Sequence, residues 1–319
     1  MSPAVSVVHQ RAEQYVAMRR SLGYKFSSQA RMLADFADYL AAHGNTTITV
    51  AAALAWATAP DPASVAYHRQ RLSVVRGFAR HLVAFDLSCQ VPPAGLLPPA
   101  EVPAPYLYSS QEISALIHAA DTLTIPIQAA TYHALICLLA VSGMRVGEAL
   151  ALDVTDVDLD TGVITVTGKY DRTRLVPLHP STTAMLRDYR QRCKQLFPRP
   201  ATPSFFLSAA ATRPFRSAVE ATFSRLLVRA GITVRNRRPP RAHDLRHSYA
   251  VATLIDWYRT GADVAAMMPL LSRILGHAGP QSTFYYLHAA PELLALAAAR
   301  LHEHNTGIAS SGISRQEAS

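Results

Sequence analysis

Six prolines fall between positions 92 and 105, in Val91-Pro-Pro-Ala-Gly-Leu-Leu-Pro-Pro99 and Val102-Pro-Ala-Pro105. Proline fixes φ and removes a backbone donor, so neither a helix interior nor a central strand can cross this stretch. It is predicted to be an extended, stiff linker over 91–106. The chain of 319 residues is long enough for two ordinary domains. The expected plan is a helical domain over 1–90, a larger domain over 107–303 and a flexible tail over 304–319.

Before the linker the apolar spacing is helical. Val8, Ala12, Tyr15, Val16 and Met18 mark a first helix over 8–22. Ser28 is expected to cap a second helix that buries Met32, Leu33, Phe36 and Leu40 and stops at Gly44. Thr49 opens a short third one through Leu54 and Trp56. Asp61-Pro62 reads as the start of a fourth, running to about Phe85 and burying Val65, Leu72, Val75, Ala79, Leu82 and Val83. Arg69, Arg76 and Arg80 share one face of that helix.

After the linker, Ser109 and Glu112 form a capping-box pattern, and helices follow to about Val141. The period then changes over 152–178. Val154, Val157 and Leu159, then Val163, Ile164 and Val166, then Leu175, Val176 and Leu178 predict a three-stranded antiparallel sheet. Asp160-Thr-Gly and Gly168-Lys-Tyr-Asp are its turns. Helical patterns return at 181–196, 217–230, 244–259, 264–275 and 291–303. The fold class is therefore mainly α, with an α+β second domain.

No apolar run is long enough for a bilayer, and the N-terminus lacks a basic-then-apolar leader, so membrane insertion and secretion are not expected. Cys89, Cys137 and Cys193 are scattered, with neither a metal spacing nor a disulfide framework, which suits a reducing cytoplasm. The net charge of +9 favours a polyanionic partner, nucleic acid before membrane. Only Lys25, Lys169 and Lys194 among the 31 basic residues are lysines.

Four patches of the second domain combine cations with a phenol. They are Arg145 in Ser142-Gly-Met-Arg-Val-Gly-Glu148, Lys169 in the hairpin turn, His243-Asp-Leu-Arg246, and Leu275-Gly-His277 followed by Tyr285 and Tyr286. Phosphodiester transfer needs a nucleophile, stabilisation of two non-bridging oxygens and a proton for the leaving oxygen. Two arginines can clamp the oxygens in fork geometry. Two histidines can add hydrogen bonds and move protons. Cations lower the cost of a phenolate. Arginine will not release a proton, whereas lysine can, which gives Lys169 a chemical reason to be lysine. No carboxylate cluster suggests catalytic magnesium, and no phosphate-cradling glycine loop suggests ATP, so no cofactor is expected. Each patch alone has an ordinary explanation: a helix ion pair, a turn lysine, a core tyrosine. Their order and spacing together carry the signal.

The set resembles the tyrosine recombinase (phage-integrase-like) family, whose site is an ordered Arg, Lys, His-x-x-Arg, His or Trp, Tyr. The local words Gly-Met-Arg-Val-Gly-Glu148, Arg174-Leu-Val-Pro-Leu178, His243-Asp-Leu-Arg-His-Ser248 and Leu275-Gly-His277 match too. The resemblance covers about 107–300 and is one of pattern only before the linker. It implies catalytic residues Arg145, Lys169, His243, Arg246, His277 and Tyr286. Tyr286, nine residues after His277, is chosen over Tyr285 as nucleophile. It further implies a core-binding domain and a catalytic domain closing as a C-shaped clamp on double-stranded DNA. A 3′-phosphotyrosine intermediate would form without metal or nucleotide, and four protomers would act on two sites. Extra residues before Leu275, including Met267-Met-Pro-Leu-Leu271, resemble transposon-borne members that act in sets of related recombinases.

The segment 213–246 holds nine arginines against Glu220 and Asp244. Arg235, Arg237, Arg238 and Arg241, with Arg69, Arg76 and Arg80, are the expected DNA-backbone contacts. Two rivals use the same residues differently: a type IB topoisomerase that relaxes DNA alone, and a catalytically dispensable accessory member of a recombinase set. A helical binding module without a nucleic-acid role leaves the ordered set unexplained.

Overall fold

The computed structural model describes residues 3–59, 64–100, 104–168, 173–233, 238–277, 279, 281–284, 286 and 292–299. The chain divides into two compact units, Met1–Val102 and Pro103–Ser319.

Among the described residues the first unit holds four helices: α1 (Pro3–Ser21), α2 (Ser27–Ala42), α3 (Val50–Thr58) and α4 (Val65–Leu82). Their inward faces, with Val8, Ala12, Leu33, Phe36, Leu40, Trp56, Leu72 and Phe78 among them, form one core. The Thr49 side chain caps α3 by accepting from the Ala52 amide at 3.1 Å. Ser28 does not cap α2; the helix begins one residue earlier, after Phe26 in the left-handed region at φ 47°. Asp61 and Pro62 lie outside the described residues. Ser64 caps α4, accepting from the Tyr67 amide at 3.2 Å, and Val65 and Phe85 are exposed.

The start of the proline-rich segment packs on this unit. Gln90 donates its amide to the Ile48 carbonyl at 2.8 Å, and Val91 and Leu97 rest on the core. Prolines keep their carbonyls, and α4 supplies the donors. Arg76 reaches Pro92 and Pro93 at 2.7 and 2.9 Å, and Arg69 reaches Leu97 and Pro98, both at 2.8 Å.

The second unit starts with α5 (Ser110–Asp121), whose capping box between Ser109 and Glu112 is formed. It continues with α6 (Pro126–Ser142) and α7 (Val146–Ala151). A sheet follows, ordered β1 (Val157–Asp158), β2 (Val163–Thr167) and β3 (Thr173–Pro177), antiparallel throughout. Then come α8 (Pro180–Leu196), α9 (Arg216–Arg229), α10 (Asp244–Arg259), α11 (Val264–Leu275) and α12 (Gln281–Phe284). Residues 292–299 are helical.

The first strand is shorter than expected. Val154 lies in a 3-10 turn, and the Asp158 carboxylate accepts from the Asp160 and Thr161 amides at 2.9 and 3.0 Å, turning the chain before Leu159 can pair. Helix α6 is apolar on most faces and sits centrally, burying Ile127, Leu135, Ile136, Leu138 and Leu139. Ile164, Val166 and Val176 close the sheet onto the same core, while Leu175 points outward. No described helix is long and apolar enough to cross a membrane.

Candidate active site

The last turn of α6 brings two arginines together. Gly143 ends the helix at φ 61°, and a Cβ there would stand 2.4 Å from the Tyr249 ring and 2.8 Å from Leu275. Only glycine fits both the backbone and the space. Its carbonyl accepts from Nη1 of Arg246 at 2.9 Å. Arg246 lies in the first turn of α10 and is 2% exposed. Two residues beyond Gly143, Arg145 stands at the head of α7. Its amide and Nη1 donate to the two oxygens of Glu148 at 2.9 and 2.7 Å.

The end of α11 completes this arrangement. Gly276 is left-handed at φ 66°, and a Cβ there would stand 2.7 Å from the Arg174 guanidinium of β3. The Gly276 carbonyl accepts from Nη2 of Arg145 at 3.2 Å. His277 follows directly, and its Nδ1 shares a hydrogen bond of 2.7 Å with the buried Thr283 hydroxyl. The family resemblance singled out His277 but not Thr283, which fixes the ring.

Tyr286 is 3% exposed. Its ring stacks on His277 at 6.0 Å and 19°, and lies 5.5 Å from His247. The phenol is close enough to Arg246 to support its charge. Nη2 of Arg246 is buried with no hydrogen-bond acceptor. His243 precedes α10 and meets His247 edge-on at 5.2 Å. His247 belongs to the His-x-x-Arg-His word, four residues after His243 and so on the same helical face, yet sequence reasoning passed over it. That spacing was the available signal.

Electrostatics follow from burial among cations. His243 and His277 are both pushed down to about 4. Burial is the main cause in each. His247, Arg246 and Arg241 add to it at His243; Arg246, Arg145, Arg174 and His247 do so at His277. Both rings are neutral at neutral pH. Burial also lowers Arg246, with Arg145 the next cause. Burial works to raise Glu148, but hydrogen bonds from Arg174 and Arg145 outweigh it and hold the carboxyl below its usual range.

The structure thus brings Arg145, Arg246, His277 and Tyr286 into one cluster, with His243 reaching it through His247. Lys169, Arg235 and Arg237 lie outside the described residues. Arg238 is exposed. Arg241 donates its amide to Asp244 at 2.8 Å and pairs with the same carboxylate at 3.3 Å. In the first unit Arg80 is exposed, while Arg69 and Arg76 hold the proline-rich segment. Among the described residues, no group of three or more His, Cys, Asp or Glu is placed to hold a metal ion. A phenol beside two forked cations and neutral imidazoles can attack a phosphodiester and stabilise the charge that develops on its oxygens.

A sequence model of the phage integrase family matches residues 107–292. A Sinorhizobium fredii protein named as an integrase/recombinase, y4rB, is 40% identical over 308 residues, covering 93% of this chain and 98% of its own. Tyrosine recombinase XerC of Chlamydia caviae is 25% identical over 243 residues, covering 74% and 72%. The XerH site-specific recombinase, bound to its palindromic difH substrate after cleavage, shares the fold with a TM-score of 0.67 at 20% identity. That match covers 85% of this chain and 78% of the XerH chain.

Fold and site together define a DNA strand transferase of the tyrosine type. The chain belongs to the phage integrase family, the tyrosine recombinases of site-specific recombination.

Proposed function

We propose that this protein serves a mobile element by cutting and rejoining DNA strands at its ends through a 3′-phosphotyrosine at Tyr286. The observation that carries the reading is the buried Nη2 of Arg246, left without an acceptor beside Tyr286 and Arg145. A buried donor with no partner is costly, and a phosphate oxygen is the acceptor its surroundings suit. Arg246 and Arg145 would clamp the two non-bridging oxygens. The Tyr286 oxygen attacks phosphorus, a neutral imidazole of His243 or His277 takes its proton, and the bond to the 5′-oxygen breaks. Lys169 supplies the proton to that oxygen. The freed 5′-hydroxyl of the partner strand then attacks the phosphotyrosine, restoring phosphodiester and phenol.

In this reading both units grip the duplex and four protomers join two sites, alone or with related recombinases. Arg80, Arg238 and the loop residues Arg235, Arg237 and Arg241 set affinity through the DNA backbone, with Arg69 and Arg76 less free to do so.

The test uses nicked duplexes carrying the ends of the element that encodes the protein. The wild-type chain is expected to form an adduct that survives denaturing gels, attached to a 3′-phosphate. Tyr286→Phe should form none while still retarding the duplex. An adduct formed by Tyr286→Phe would move the nucleophile, with Tyr285 the first candidate. An adduct absent from the wild type would overturn the reading.

A further inference from the structure

The mechanism leaves Arg174 idle, yet its guanidinium makes three hydrogen bonds beside the site. Arg174 lies on β3 opposite Val166 of β2, and Lys169 falls between these two strands in the sequence. Its Nε donates to the Ile274 carbonyl at 2.9 Å. Its Nη1 and Nη2 take the two oxygens of Glu148 at 3.3 and 2.7 Å. Those same oxygens hold the amide and Nη1 of Arg145. Its guanidinium lies against Gly276, whose carbonyl accepts from Arg145 and whose successor is His277. One planar fork therefore ties β3 to two segments that each carry a site residue: the head of α7 with Arg145, and the end of α11 with His277.

We propose that Arg174 is a positioning residue for strand cleavage, clamping Glu148 and the end of α11 so that Arg145 and His277 hold their places around the scissile phosphate. This rests on the recombinase reading above. Only a planar fork can serve a carboxylate with both terminal nitrogens and a carbonyl with Nε. The geometry also separates positioning from plain stabilisation. Glu148 faces Arg145 from α7 and Arg174 from β3, with Arg246 of α10 and His277 behind them. Removing Arg174 takes away the stronger of its two cationic partners, so Glu148 would accept a proton at higher pH and release Arg145.

The experiment measures covalent adduct formation on the same nicked duplex, with the full-length protein, as a function of pH. Arg174→Met is expected to slow cleavage at neutral pH on the order of 100-fold, as small misplacements of reacting groups do. DNA affinity should hold. The acid limb of the rate should move up by about one pH unit. Arg174→Lys, which keeps the charge but not the fork, should fall between, and it carries the test if the Met variant melts early. Adding Glu148→Gln to Arg174→Met should return the acid limb to where the histidines set it, with the rate still low. A clamp that only stabilised the fold would leave the acid limb unmoved in every variant, and that result would overturn the proposal. An adduct missing from the wild type would overturn the recombinase reading itself, and this inference with it.

Discussion

The two units use arginine in opposite ways. In the first, Arg69, Arg71 and Arg76 of α4 serve the chain itself, and Arg80 is exposed. Arg69 and Arg76 satisfy carbonyls of the proline-rich segment, and Arg71 is buried with Nη2 on the Trp56 carbonyl, Nη1 beside Asp35 and its plane 3.6 Å over the Trp56 ring. In the second unit, Arg246 is buried still more deeply and keeps one terminal nitrogen unused. Arg71 also leaves its Nε unpaired, but an indole face lies against it. Opposite Arg246 stand Arg145, two histidines and a phenol. Glu148 offsets part of the charge of Arg145 and Arg246, and an anion from outside would offset the rest. What tells a structural arginine from a functional one is less its burial than what remains for it to bind.

The sharpest way to break this contrast is Arg246→Lys. Lysine keeps the charge but cannot serve the Gly143 carbonyl and a phosphate oxygen from one rigid plane. Adduct formation is expected to fall by about 10²–10³-fold, the usual cost of one oxyanion donor, with gel-shift affinity largely kept. A lysine variant that cleaves at the wild-type rate would show that the unused nitrogen is not held for the phosphate.

Much of this was legible beforehand because the signals were local. The caps at Thr49 and Ser109, the helices of the second unit and the change of period over 152–178 depend on nearby residues. Arg145, Arg246, His277 and Tyr286 stood out in the sequence as part of an ordered set of residue types, although their meeting depends on two left-handed glycines, Gly143 and Gly276, that spacing alone does not reveal. The failures were tertiary. Ser28 looked like a cap, but Phe26 in the left-handed region starts α2 without one. The stripe of Arg69, Arg76 and Arg80 was read as a face for the DNA backbone, and spacing could not show that Arg69 and Arg76 also serve carbonyls more than ten residues further along the chain. His247 and Arg174 stood inside recognised words, but their roles come from partners brought together only by folding.

A second contrast between the units is sensitivity to acid. His243 and His277 are held neutral, at about 4, against about 6.5 in an unfolded chain. Their contribution is fully present above pH 6.5. It is lost as the pH falls toward 4, because the unfolded chain takes up protons that the folded site refuses. The chain has two tryptophans, Trp56 in the first unit and Trp257 in the second. Single-tryptophan variants can therefore follow each unit in urea. The Trp257 midpoint should drop between pH 6.5 and 4.5 ahead of the Trp56 midpoint, and His243→Gln with His277→Gln should flatten it. Equal sensitivity of both signals would remove the histidine cluster as the cause.

The smallest expected effect tests the other side of the comparison. Arg76 donates to the Pro92 and Pro93 carbonyls at 2.7 and 2.9 Å, so Arg76→Met should loosen the proline-rich segment. The first unit should lose about 1–2 kcal/mol, the scale of a charge-assisted hydrogen bond, read from the Trp56 signal in urea. DNA affinity should keep its dependence on salt, since no phosphate contact is removed. Each phosphate contact contributes about 0.9 to the slope of log affinity against log salt. A slope reduced by that amount in Arg76→Met would mean that this arginine leaves its carbonyls for the DNA backbone. The two units would then differ in how firmly they hold their arginines before DNA arrives, and not in what those arginines are for.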